Sequence, residues 1–215
     1  MNKLMLLLAL FFLAFPALAQ LNEQQLKEYE ARLAANPNDQ ETLLKLGTYY
    51  HNRGGEGDEK AVDKAVDLLD RLLQLNNRNT VAMAFYGSAV TMQGRDAFLP
   101  WNKMKYVNEG IGKLDKAVTL DSANLRVRMV RGTNSVNLPD FLNRRPFALR
   151  DFAFIVAHAD SSNLGKSERV QTYYFYGQAL KQAGRIDEAK TMWGKAVSLW
   201  PEHPLAVRAA EELKR

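Results

Sequence analysis

Beyond residue 20, apolar residues recur every three or four positions along almost the whole chain, as in Leu43, Leu46, Gly47 and Tyr50, and again in Val62, Ala65, Val66, Leu69, Leu72 and Leu73. That spacing puts apolar side chains on one face of an α-helix. The alternation that would line one face of a strand is not found between turn residues. The pattern therefore predicts an all-α chain. Four glycines, Gly47, Gly87, Gly132 and Gly177, sit in the middle of such stretches at intervals of 40, 45 and 45 residues. Self-similarity at that period predicts stacked helix hairpins, because one hairpin alone buries too little apolar surface to be stable. Small residues at Gly47, Gly87, Gly177, Ala65, Ala189 and Ala196 are expected where the two helices of a hairpin cross closely.

The clearest copy runs Tyr173, Tyr176, Gly177, Leu180, Gly184, Ala189, Trp193, Ala196, Pro201. It resembles the tetratricopeptide (TPR) signature, a helix-turn-helix repeat of roughly 34 residues. The resemblance implies a right-handed α-solenoid of TPR hairpins with inserted loops and a C-terminal capping helix. Aligned on the clear copy, the chain divides into a half repeat at 21–37, repeats at about 40–77, 80–122, 125–160 and 170–202, and a cap at 203–215. Pro37 to Gly47, Asn77 to Gly87 and Ser122 to Gly132 each span ten residues, as in the family pattern. The departures are extra residues. The first repeat has six at Asn52 to Lys60, where Gly54, Gly55 and Gly57 are expected to break the helix. The second has eleven around Arg95 to Tyr106, the third about four near Leu138 to Pro146, and the last junction is seven longer, from Asp160 to Gly177.

Ahead of the repeats, Leu4 to Phe15 are continuously apolar after Lys3, and Ala17, Leu18 and Ala19 follow. This reads as a signal peptide, residues 1–19, cut after Ala19, and implies a periplasmic or secreted protein. Only an uncleaved leader would tie the chain to a membrane, and its apolar run is shorter than the roughly 20 residues a spanning helix needs. Cysteine is absent, which excludes a disulfide framework and a lipidated cysteine. Loss of Lys3 with the leader takes the formal charge from +5 to +4. With so small an excess on an exported chain, nucleic acid is not an expected partner.

In the family, helix A of each repeat lines a concave groove and presents ligand-contacting side chains at four set positions. The resemblance carries these to Glu41, Leu44, Thr48 and His51, then Val81, Ala84, Ser88 and Thr91, then Arg126, Met129, Thr133 and Val136, then Gln171, Tyr174, Gln178 and Lys181. Thr48, His51, Ser88, Arg126, Thr133, Tyr174, Gln178 and Lys181 are the candidate partner-binding residues, for an extended peptide that needs hydrogen bonds and shallow apolar pockets. Leu44 and Thr48 stand where the chaperone-tail-binding members have Lys and Asn, so a carboxylate clamp of that type is not expected.

Between Leu125 and Arg150 six arginines face one acid, Asp140. Arg128 and Arg131 fall where the family packs large apolar residues. A buried guanidinium needs a partner. Either acids such as Asp96, Glu109 or Asp115 reach them, or they form an anion pocket together with Arg144 and Arg145. The segment carrying Phe98, Trp101, Lys103, Lys105 and Tyr106 is expected to cover this polar stripe, with a partner hot spot as the alternative. Catalytic and metal motifs are missing. His51, His158 and His203 share no ligand spacing, Gly165, Lys166 and Ser167 lack the first glycine and the strand of a phosphate loop, and no serine lies in an elbow motif. The expectation is a non-enzymatic scaffold for a protein or peptide in envelope complex assembly, without a cofactor. The alternative is a module for a small anion or acidic cell-wall polymer.

Overall fold

The computed structural model describes residues 21–159, 162 and 164–215. The leader and its cleavage site lie outside the described residues, as does Asp160 at the last repeat junction. The described residues form ten α-helices and one short 3-10 turn, with no strand. None of these helices is long and apolar enough to cross a membrane. The chain separates into two compact units, one ending at Val127 and the other beginning at Arg128.

In the N-terminal unit, α1 (Glu23–Ala35) is followed by two hairpins, α2 (Gln40–Gly55) with α3 (Glu59–Leu75), and α4 (Thr80–Asp96) with α5 (Pro100–Leu120). The core includes Leu43, Leu46, Val62, Ala65, Leu69 and Leu72 from the first hairpin, which the helical spacing marks, and Phe85, Leu114 and Ala117 from the second. In the C-terminal unit, α6 (Leu125–Asn137) leads through a 3-10 turn at Asp140–Leu142 to α7 (Arg145–His158). There, α8 (Lys166–Gln182) pairs with α9 (Ile186–Leu199), and α10 (Pro204–Leu213) packs on both. Phe152, Ile155, Phe175, Leu180, Trp193 and Leu205 are its largest fully buried side chains.

One turn, used four times, sets the passage from the second helix of one repeat to the first of the next. At Asn36, Asn76, Asp121 and Trp200 the backbone leaves the helix in nearly the same extended conformation, φ −131°, −145°, −142° and −155°. Three residues later an amide returns to that residue's carbonyl: Asp39 to Asn36 at 3.1 Å, Asn79 to Asn76 at 3.1 Å, Asn124 to Asp121 at 3.2 Å, and His203 to Trp200 at 3.1 Å. The residue that donates this bond also caps the following helix, satisfying amides that have no partner within the helix. Asp39 accepts from Glu41 and Thr42, Asn79 from Ala82, and His203 from Leu205. The ten-residue interval to the crossing glycine is the distance from this turn to the middle of the next helix.

At each crossing, the neighbour occupies the space a side chain would need. A Cβ on Gly47 would lie 2.7 Å from Leu69 Cγ, and one on Gly87 2.7 Å from the Gly110 carbonyl oxygen. One on Gly132 would press on the Phe152 ring at 3.0 Å, and one on Gly177 would enter the Trp193 indole.

The insertions differ from expectation. Gly54 and Gly55 do not break α2: both are helical and buried, Gly54 lies against Val62, and the turn comes at Gly57, where φ is 104°. The eleven extra residues of the second repeat are mostly helix, not loop. They lengthen α5 to 21 residues, leaving a short corner at Ala97–Leu99. Gly94 allows the extension, since its missing side chain admits Val107 and the Lys103 carbonyl. The third repeat's extra residues form the 3-10 turn and Asn143, at φ 54°, before α7 begins at Arg145 with Pro146 in its first turn.

Candidate functional site

The repeated turn ahead of α2, α4 and α6, and the close crossings at Gly47, Gly87, Gly132 and Gly177, fix the rotation of the first helices, and this decides which candidate side chains reach solvent. In the N-terminal unit, Thr48 is half-buried and Arg126 exposed. His51 and Ser88 are not presented to a ligand. His51 is fully buried, its Nε2 lies 2.9 Å from Ser88 Oγ, and its Nδ1 lies 3.2 Å from Asn52 Oδ1. The consistent assignment has Nδ1–H donating to the Asn52 carbonyl oxygen and Nε2 accepting from the Ser88 hydroxyl. The Phe85 ring stands edge-on to the imidazole at 5.0 Å. Burial, which penalises the charged form, pushes the His51 pKa down to about 4, against a smaller raising effect of Asn52. Both residues thus form a neutral polar seam between the first helices of adjacent repeats.

In the C-terminal unit Thr133 is fully buried and Tyr174 nearly so. Burial raises the Tyr174 hydroxyl above its ordinary range. Gln178 and Lys181, further along α8, meet one carboxylate of the capping helix. Gln178 Nε2 donates to Glu212 Oε1 at 3.4 Å, and Lys181 Nζ to Oε2 at 2.6 Å. Burial works against the ionised Glu212, but the bonds from Lys181 and Gln178 outweigh it and hold its pKa below the usual range. The α8 candidates are thus gathered on the side facing α10, with Lys181 still substantially open to water.

The arginine cluster is organised by an acid outside the set that the sequence singles out. Asp151, fully buried on α7, accepts from Arg131 through Nε and Nη2, each at 2.7 Å, and from Arg128 Nη1 at 2.9 Å. The bidentate fork suits a planar guanidinium facing a carboxylate. Aromatic faces take up the remaining charge. Arg128 lies 4.0 Å over the Phe154 ring, and Arg144 and Arg131 lie 3.8 and 5.3 Å from the Phe147 centroid. Arg145 is bonded to Asp140 at 2.6 Å on the surface. Asp96, offered from sequence as a partner for the stripe, is held by Arg95, whose Nη2 is 2.8 Å from Oδ2. Phe98 and Trp101, expected to cover the stripe, are 93 % and 68 % exposed.

One serine–histidine contact resembles catalytic chemistry without being able to perform it. His203 Nε2 is 3.0 Å from Ser167 Oγ, but its Nδ1 accepts from the Leu205 amide. The neutral ring therefore carries its proton on Nε2 and donates to the serine, the reverse of what activates a nucleophile. Burial lowers the His203 pKa and favours that neutral form. Among the described residues no group of three or more His, Asp or Glu gathers as a metal site.

Helix hairpins that cross at small residues, with one recurring turn ahead of α2, α4, α6 and α10, define an all-α tetratricopeptide-type solenoid fold. Solved structures bear this out. TTC0263, a thermophilic TPR protein of Thermus thermophilus, superposes with a TM-score of 0.70 at 20 % identity, over 89 % of this chain and 90 % of that one. YrrB, described as a TPR protein with an unusual peptide-binding site, gives 0.51 at 18 % identity over 88 % and 83 %. MamA gives 0.50 at 22 % over 81 % and 86 %. No family model matches the sequence, and no curated protein matches it.

Proposed function

We propose that this chain is a non-enzymatic scaffold that holds a segment of another protein against the first helices of its repeats. The observation that carries the reading is the TPR fold itself, running through nearly all of the chain. YrrB, with the same fold, is described as having a peptide-binding site. Thr48 and Arg126 in the N-terminal unit, and Gln178 and Lys181 in the C-terminal unit, are the contact residues. His51, Ser88, Thr133 and Tyr174 shape the surface from beneath. A hydroxyl, an amide and two cations suit the main-chain groups and acidic side chains of an extended peptide. Phosphate-loop, serine-elbow and metal-ligand patterns are missing from the sequence, which favours binding over turnover.

The leader-like sequence supports a location in the periplasm or outside the cell, where the scaffold would serve the assembly or regulation of an envelope complex. N-terminal sequencing of the exported protein should begin at Gln20. A photo-crosslinking residue at Thr48 in living cells should trap a defined protein, lost on changing Gln178 and Lys181 to alanine. A trapped set unchanged by those substitutions would count against the reading. Binding of a small anion or acidic cell-wall polymer by Arg126, Arg128, Arg131, Arg144 and Arg145 has less support, since Asp151 already holds two of these cations.

A further inference from the structure

The lengthened second hairpin leaves a feature that the scaffold reading does not use. Where α4 ends and α5 begins, the corner Ala97–Leu99 stands over the start of α3 and encloses a cleft of about 500 Å³. Leu99, Tyr106 and Ala97 give it apolar wall. Its ionised lining is of one sign: Glu59, Asp63 and Asp96 contribute, and no lysine or arginine does. Asp96 is neutralised by Arg95. Asp63 accepts a neutral amide, from Gln93 at 3.0 Å. Glu59 and Asp63 lie four residues apart on one helix, so both carboxylates face the same way.

The lip of the cleft is Phe98, 93 % exposed, and one helical turn on stands Trp101, 68 % exposed. Scattered exposed apolar residues are ordinary. Here two large aromatics share one corner beside a concave surface, the arrangement that anchors protein contacts. The corner is held in shape, since Lys103 Nζ donates to the Arg95 carbonyl at 2.9 Å and Ala97 N–H to the Gln93 carbonyl at 2.8 Å.

We propose that this cleft is a second docking site, for a protein segment that seats an apolar side chain against Phe98 and sets a Lys or Arg between Glu59 and Asp63. Charge complementarity selects that occupant. An acidic segment would meet two carboxylates, and an anionic bilayer would be repelled by the wall beside the aromatics that would otherwise insert. The site lies wholly within the N-terminal unit and stands or falls apart from the first-helix faces.

The test uses the purified chain and fluorescein-labelled twelve-residue peptides with one central Phe or Leu flanked by two Lys or Arg, read by fluorescence anisotropy. Control peptides carry Glu in place of the bases, or Ser in place of the anchor. Base-flanked peptides are expected to bind at least about tenfold more tightly than either control, and Phe98→Ser to lose at least about tenfold. Binding should weaken as salt rises. The double change Glu59→Lys, Asp63→Lys should abolish this binding and admit the Glu-flanked peptide, while Lys27→Ala, at an exposed position on α1, should leave it unchanged. All three altered residues of the cleft are exposed, and unchanged thermal melting confirms that the variants fold. Equal binding of acid- and base-flanked peptides, no binding of any peptide, or an unaffected Phe98→Ser would overturn the proposal. So would co-sedimentation with phosphatidylglycerol vesicles that is lost in Phe98→Ser.

Discussion

His51 and Ser88, 37 positions apart in the sequence, are joined by a buried hydrogen bond of 2.9 Å that ties the first helix of one repeat to the first helix of the next. The bond is made by the neutral imidazole, and the unfolded chain would titrate near 6.5 where the folded chain titrates near 4. Between those values the unfolded state binds the extra proton, so stability is full above about pH 6.5 and falls as the pH drops toward 4. The expected loss from this residue between pH 7.5 and 4.5 is about 2 to 3 kcal/mol, at roughly 1.4 kcal/mol per unit. Urea unfolding of wild type and His51→Leu across that range isolates the effect from the carboxylates common to both. Parallel curves would show that His51 does not titrate as its burial demands.

The glycines divide into two kinds, with opposite expected effects on stability. At Gly177 a Cβ would enter the indole of Trp193, whose N–H donates to the Tyr174 carbonyl at 3.2 Å. Gly177→Ala should therefore destabilise by about 1 to 3 kcal/mol through overpacking and shift the tryptophan emission. At Gly112 and Gly194 a Cβ would meet nothing within 4 Å. Alanine there should stabilise by about 0.5 to 1 kcal/mol, since glycine loses more backbone entropy in a helix. Denaturant melts of the three variants suffice, and destabilisation by all three would refute the distinction.

The difference between the two kinds of glycine also explains what could be read from the sequence. A glycine repeated at the period of the hairpin marks a backbone crossing, so the spacing of Gly47, Gly87, Gly132 and Gly177 makes the fold legible in the sequence. Gly94 and Gly110 do the same for the extended part of α4 and α5, but they fall outside the family pattern. The family pattern has no place for these residues, so they read as an insertion, although Lys103, Val107, Gly110, Ile111 and Leu114 keep helical spacing. Asp151 is not legible as the partner, because it lies one residue beyond the arginine-rich stretch, on the partner helix of the same hairpin. The burial of His51 and Ser88 was not legible because one helix position can face a groove or a neighbouring helix. Only the rotation set by the turns decides which.

The capping helix α10 gives a prediction about solubility. Leu205, Ala206 and Ala209 are fully buried, and Glu212 holds Gln178 and Lys181. Ending the chain at Glu202 would bare the surface of α8 and α9 on which these residues pack. A solenoid end without its polar cap is expected to associate. Light scattering over a concentration series should show larger species for the truncated chain than for the full one, with a lower melting temperature. A monodisperse truncated protein of unchanged stability would mean that α10 is dispensable.

Asp151 is the sharpest single test of the C-terminal unit, because one carboxylate binds two guanidiniums away from water. Removing it leaves Arg128 and Arg131 without that partner in a buried setting, and loss of one member of such a pair costs about 3 to 5 kcal/mol. Asp151→Ala should therefore approach the stability limit of the fold. Asp151→Asn, which keeps the shape and loses the charge, should fall between it and wild type. Asp140→Ala breaks the ion pair with Arg145, in which the acid is 77 % exposed. That pair is screened by water, and its loss should cost less than about 1 kcal/mol. Changing both Arg128 and Arg131 to Met alongside Asp151→Ala should recover much of the stability, since a packed apolar triad can replace a buried ionic one. Chemical denaturation of the four variants measures the series. If Asp151→Ala proved no more damaging than Asp140→Ala, Asp151 would not be the centre of the cluster.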